Sequence, residues 1–187
     1  MLIRHADPAQ DAAACLEIYA RYVDGSAASF EETVPSLNEF SQRIARISRT
    51  HAFLVAQDGE RIAGYAYAGS HRERAAYRWT AETTVYLNPE YHRRGLGRAL
   101  YAALLPLLER QGYRLLLAGI TQPNPASVAL HAAVGFEDVG VYRRAGWKAG
   151  AWRDVLWMAR QLGPETSETQ MPPAPGPPQR LPAPIEL

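Results

Sequence analysis

Two features of this chain carry residue types suited to chemistry: the basic glycine run His92-Arg93-Arg94-Gly95-Leu96-Gly97-Arg98 and the carboxylate of Glu82 just upstream. The run follows the β-branched stretch Thr83-Thr84-Val85 and an Asn88-Pro89 turn signal, and it precedes Leu96, Leu100, Leu104 and Leu107 at helical spacing. That order predicts strand, turn, glycine loop and helix. A glycine loop feeding a helix N-terminus offers unpaired backbone N–H groups to an anion, and the helix dipole favours the negative charge. Arg93 and Arg94 add cations suited to a pyrophosphate. The P-loop pattern is absent, because Gly97-Arg98-Ala99 stands where Gly-Lys-Ser/Thr is required. The dinucleotide fingerprint is absent too, with Leu100 in place of its third glycine. Glu82 lies in an otherwise uncharged run from Trp79 to Leu87. A carboxylate there is either solvent-facing or held by partners, and the second setting suits a general base.

The elements that must position these groups are marked locally. Asp7-Pro8 is an N-cap followed by proline at the first helical position, with Leu16, Tyr19 and Val23 behind it. Ser36-Leu37-Asn38-Glu39 is a capping box, with Phe40, Ile44 and Ile47 on one face of its helix. The runs 52–56 and 62–67 flank Gln57-Asp58-Gly59-Glu60 and predict a hairpin. Pro106 inside the leucine-periodic helix predicts a kink or an early end. The apolar run 113–120 predicts a strand buried on both faces. Asn124-Pro125 opens another helix, closed by Gly135, and 136–143 with 152–162 predict the last two strands.

Length, charge and composition narrow the class. The 187 residues suit one domain, and a net charge of +1 gives no global case for nucleic acid or an anionic membrane. The single cysteine, Cys15, excludes an internal disulfide and a Cys-based zinc site and reads as a buried thiol. No run approaches the roughly 18 apolar residues of a membrane span, and residues 1–7 lack a signal-peptide stretch, so a cytoplasmic location is expected. Eight of the 14 prolines fall between Pro164 and Leu187. The expected organisation is a domain over 1–162 and a flexible Pro-rich tail over 163–187. The fold class expected is α/β, more closely α+β: a largely antiparallel mixed sheet with one parallel crossover and helices on both faces.

The glycine run is similar to the acyl-CoA loop of the GNAT-type N-acetyltransferases: Gln/Arg, two residues, Gly, any residue, Gly/Ala. His92 departs from it in the Gln/Arg slot. Tyr77 to Tyr86, Pro123 to His131 with Gly135-Phe136, Arg143 to Lys148 and Trp152 to Val155 resemble segments of phosphinothricin and methionine sulfoximine N-acetyltransferases in that superfamily. The resemblance spans roughly residues 2–162. It implies the GNAT acyl-CoA N-acyltransferase fold, a central sheet splayed open near Val85 and flanked by helices, with acetyl-CoA as acetyl donor. The main chain of Val85, Tyr86 and Leu87 would pair with the pantetheine arm. Arg93, Arg94, Gly95, Leu96, Gly97 and Arg98 would wrap the pyrophosphate, and Asn124 would touch the arm as well as cap its helix. Glu82 would be the general base, acting through a water, and His131 an acid or partner base. Phe30, Arg74, Tyr77, Arg78 and Thr80 would face a small amino-acid substrate, and a homodimer is implied.

Other functions stay open at this stage: acetylation of a different amine, such as a polyamine or protein N-terminus, or a non-catalytic acyl-CoA sensor. The arginines at 72, 74 and 78 weigh against a polyamine, and retention of Glu82 and His131 weighs against a sensor. A nucleic-acid module is disfavoured by the near-neutral charge and the lack of a base-stacking motif.

Overall fold

The sheet is built outward from the hairpin that Gly59 makes possible. Its left-handed φ of +58° closes the two-residue turn between β2 (Phe53–Asp58) and β3 (Arg61–Ser70). The computed structural model describes residues 1–163 and 170–187. Around the hairpin lie β1 (Leu2–His5), β4 (Thr80–Leu87), β5 (Leu115–Thr121), β6 (Glu137–Lys148), β7 (Ala151–Gln161) and β8 (Ile185–Glu186). They form one sheet in the order β6-β7-β5-β4-β3-β2-β1-β8. The β4–β5 pair is parallel, and the other described pairs are antiparallel.

Among the described residues, four α-helices cover the two faces: α1 (Pro8–Asp24), α2 (Leu37–Ser48), α3 (Leu96–Gln111) and α4 (Pro125–Ala133). Strand alternation sends Phe53 and Val55 of β2 towards α1 and α2, and Leu54 and Ala56 towards α3. Both predicted caps form. Asp7 Oδ1 accepts the Ala9 N–H at 2.8 Å, and Ser36 and Glu39 exchange the two bonds of a capping box. On α1 the buried stripe runs through Ala12, Cys15, Ile18, Tyr19 and Val23, with Leu16 half-buried at its margin. Burial pushes the Cys15 thiol far above its ordinary pKa, so it stays protonated. No described helix is long and apolar enough to cross a membrane.

Three expectations change. Pro106 does not shorten α3, which runs on to Gln111. An interior proline costs about 3 kcal/mol, whereas Leu107 and Leu108 beyond it are 1% and 0% exposed, and each buried leucine contributes about 1.5–3 kcal/mol. Burial of the next turn therefore wins. Strand β5 is buried on one face only: Leu116, Ala118 and Ile120 enter the core, while Leu115 and Leu117 are half-buried and Gly119 is exposed.

The tail is the third. Residues 164–169 lie outside the described residues, but 170–187 run back along the domain rather than away from it. Pro173 accepts the Trp79 indole N–H at 2.9 Å, and the Gly176 N–H reaches the Gln111 carbonyl at 2.8 Å. The Leu181 N–H donates to His5 Nε2 at 3.0 Å, and Leu181 packs on the main core. Strand β8 then pairs with β1, whose outer edge would otherwise be open. Removing 171–187 should lower the melting temperature by about 5 °C, the shift that roughly 1–2 kcal/mol produces in a chain of this size. Calorimetry of the truncated protein checks this, and an unchanged melting temperature would show the strap to be passive.

Candidate active site

Strands β4 and β5 pair only from Thr80 opposite Leu115 to Glu82 opposite Leu117. Beyond that point they part. β4 continues to Leu87 against β3, and β5 continues to Thr121 against β7. The wedge between them opens into a cavity of about 700 Å³, lined by Thr83–Leu87 of β4, Ala118–Thr121 of β5, the start of α3 and the inner side of α4. Thr83 Oγ1 donates to the Leu117 carbonyl at 3.4 Å where the wedge begins.

The β4 backbone facing the wedge follows from register. The Asn88 N–H bonds to the Ala63 carbonyl on β3. Antiparallel alternation then turns the main chain of Tyr86 and Thr84 towards β3 and that of Val85 and Leu87 into the wedge. Of the three residues expected to offer main chain there, Val85 and Leu87 do so. Tyr86 instead buries its ring among Tyr19, Tyr22 and Tyr65. The Leu87 carbonyl is already taken by the Tyr22 hydroxyl at 2.6 Å, and Tyr22 lines the cavity. Sequence reasoning missed Tyr22; the only local signal was a second tyrosine three residues after Tyr19 on the same helix.

At the mouth, the glycine loop has the conformation anion binding requires. Gly95 sits at φ +77° as the N-cap of α3, and Arg93 also adopts a left-handed φ of +60°. Such turns aim successive N–H groups into one concavity, adding to the free N–H groups of the first helical turn. Gly97 permits close helix contact, since a Cβ there would lie 2.7 Å from Leu130 Cδ2 of α4. His92, Arg93, Gly95, Leu96, Gly97 and Arg98 line the cavity. Arg94 does not; its guanidinium lies 5.3 Å from the Tyr91 ring centre. Asn124 lines the cavity with its oxygen committed to the Ser127 N–H at 3.1 Å, so the N-cap reading holds.

The two titratable candidates occupy different faces. His131 is 4% exposed. Its Nδ1 lies 2.8 Å from the Ser127 carbonyl, and its Nε2 lies 2.7 Å from the Tyr101 hydroxyl, itself hydrogen-bonded to Thr83. Burial lowers the His131 pKa against a smaller opposing pull from the Ser127 bond, which favours the neutral ring. With both nitrogens engaged, His131 ties α4 to α3 and β4, and an acid role is open to it only if it gives up Tyr101. Glu82 lies on the opposite face of β4, at the last residue before the strands part, and does not line the cavity itself. Its Oε1 is 2.6 Å from His71 Nδ1, with the two side chains 39% and 13% exposed. His71 was not expected at the site.

The substrate-side candidates are dispersed, and none lines the cavity. Thr80 shares the Glu82 face of β4 by alternation. Tyr77 approaches the edge of His71, with ring centres 5.6 Å apart. Phe30 packs over Gly146 of β6. Arg74 is exposed. Arg78 folds back, donating to the Ala75 carbonyl at 2.8 Å and lying over Trp79.

A family model described as an acetyltransferase (GNAT) domain matches residues 3–157. A phosphinothricin N-acetyltransferase from Streptomyces viridochromogenes is 39% identical over 160 residues, covering 86% of this chain and 87% of its own. An L-methionine sulfoximine/L-methionine sulfone acetyltransferase from Salmonella typhimurium is 36% identical, covering 87% and 95%. Among solved structures, a GNAT superfamily phosphinothricin acetyltransferase from Sinorhizobium meliloti in complex with acetyl-CoA superposes with a TM-score of 0.83 at 37% identity, covering 89% and 93%. A sheet parted beside a glycine-loop helix start, matched across most of the chain by these proteins, places the chain in the GNAT acetyltransferase family.

Proposed function

We propose that this chain transfers the acetyl group of acetyl-CoA to the amino group of a small amino-acid analogue, phosphinothricin or methionine sulfoximine/sulfone, with Glu82 as general base. The observation that carries the reading is the position of Glu82 at the point where β4 and β5 part. A pantetheine arm entering the wedge as an added strand would find main-chain partners at Val85 and Leu87. Its pyrophosphate would rest on the loop from Arg93 to Arg98 and the α3 N-terminus, with Arg94 contributing only long-range charge. The thioester then arrives beside Glu82 from one face of the sheet, and the amine approaches from the other.

Glu82 takes one proton from the substrate ammonium, directly or through a water, and so makes the nitrogen nucleophilic; the nitrogen attacks the thioester carbonyl, and as the C–S bond breaks its second proton passes to the departing CoA sulfur. Opposite Glu82 in the β3–β4 register stands Gly69, and the space a Cβ would fill there is open. That gap gives the acceptor room beside the carboxylate. Thr80 shares the Glu82 face of β4 and Tyr77 meets His71, which makes these two the foremost substrate candidates, while Phe30 packs over Gly146 of β6 and Arg74 and Arg78 remain outer contributors of charge.

A homodimer fits the surface of the β6–β7 hairpin. Trp147 and Trp152 stack edge to face there at 5.6 Å while remaining 57% and 51% exposed, beside exposed Val139, Val141 and Tyr142. A second copy of the chain laid on this hairpin would cover these side chains.

With acetyl-CoA, either phosphinothricin or methionine sulfoximine should release free CoA in a thiol assay, and Glu82→Gln should reduce kcat by about 10²–10⁴-fold. Brisk turnover of a polyamine or peptide with none on these two compounds would overturn the substrate class. Sedimentation should give twice the chain mass of 20.7 kDa, and Trp147→Glu with Trp152→Glu should return it to one chain. A wild-type monomer at working concentration would refute the dimer.

A further inference from the structure

The structure joins Glu82 to a side chain that the acetyl-transfer scheme leaves unused. His71 is the first residue beyond β3, two positions past Gly69, which stands opposite Glu82. Alternation places His71 diagonally from Glu82 on the same face, and the missing side chain at Gly69 leaves the path between them clear. The Arg72 Nε–H donates to His71 Nε2 at 3.2 Å. With that nitrogen accepting, the ring proton resides on Nδ1, which points at Glu82 Oε1 from 2.6 Å. The ring is braced on two further sides, edge-on to Tyr77 at 5.6 Å and to Trp157 at 6.0 Å. Arg72 is fixed in turn, with its guanidinium 5.8 Å from the Tyr77 ring centre.

We propose that His71 is the positioning residue of the catalytic base: its Nδ1–H holds one Glu82 oxygen so that the other faces the incoming amine. A glutamate that is 39% exposed has several rotamers open to it, and each turn about its side chain moves the carboxylate by more than a hydrogen-bond length. The short bond from a braced imidazole selects one of them. Arg72 serves this arrangement by occupying Nε2 and so fixing the tautomer. No proton has to pass through His71: the ammonium loses its proton to Glu82, and Glu82 returns it to solvent after the acetyl group has moved. The proposal rests on the assignment of Glu82 as base.

The test separates the hydrogen bond from the packing of the ring. His71→Phe keeps an aromatic ring between Tyr77 and Trp157 but loses the donor. His71→Asn loses the ring but places an N–H close to the former Nδ1 position, whereas His71→Gln places its N–H near the former Nε2. Positioning predicts that His71→Phe lowers kcat by about 10–100-fold with the KM for acetyl-CoA little changed. It also predicts that His71→Asn retains most of the activity, that His71→Gln does not, and that His71→Phe adds nothing in a Glu82→Gln background. A structural role predicts the reverse order, with Phe better than Asn, and that result would overturn the proposal. Melting temperatures identify any variant that fails to fold, and the Asn-to-Gln comparison then decides alone. If Glu82→Gln is crippled while His71→Phe is fully active, positioning fails and the base survives. Full activity of Glu82→Gln would overturn both.

Discussion

Main-chain hydrogen bonding within a sheet is nearly obligatory, and among the described residues this fold leaves it incomplete inside the sheet, between β4 and β5. After Glu82 and Leu117 the two parallel strands separate, and the wedge-facing main chain of Val85 and Leu87 loses its natural neighbour. Leaving such groups unpaired costs free energy comparable to a lost hydrogen bond each. Much of the surrounding structure reads as a consequence. Tyr22 takes the Leu87 carbonyl, α3 and α4 close the sides of the wedge, and the Tyr101–His131–Ser127 chain ties those helices to β4. A second strand-like molecule with its own amides fits what remains.

The same separation divides the labour of the site between faces. The glycine loop and helix start belong to the α3 side of the sheet. Glu82 and His71 belong to the α1 side, where β5 is only half-covered. A cofactor and an acceptor can therefore approach from opposite faces and meet at the end of the ladder. The strap formed by 170–187 covers the β1 edge and reaches Trp79, the residue that leads into β4.

What the sequence disclosed was mostly local. The Asp7 and Ser36 caps, the Gly59 turn and the Gly95 loop are each determined by residues within a few positions of one another, and each forms as read. The acidic residue before the loop was visible because a lone charge in an otherwise uncharged strand is conspicuous. Tyr22 and His71 were not visible, because their roles depend on partners 65 and 11 residues away that only the sheet register brings near. Tail composition misled for a related reason. Proline-rich chain is extended by itself, yet an extended chain is also what an open sheet edge can bind. β5 misled because local rules assign a face without knowing which side of the element the core occupies.

The central claim is that Val85 and Leu87 present their amides to an acetyl-CoA arm laid in the wedge, while Tyr86 is already paired with β3. Residue-resolved amide hydrogen exchange, with and without saturating acetyl-CoA, tests it most directly. The account predicts that exchange slows strongly at Val85 and Leu87 and changes little at Tyr86. Tight binding that leaves the Val85 and Leu87 amides exchanging at their free rates would contradict it.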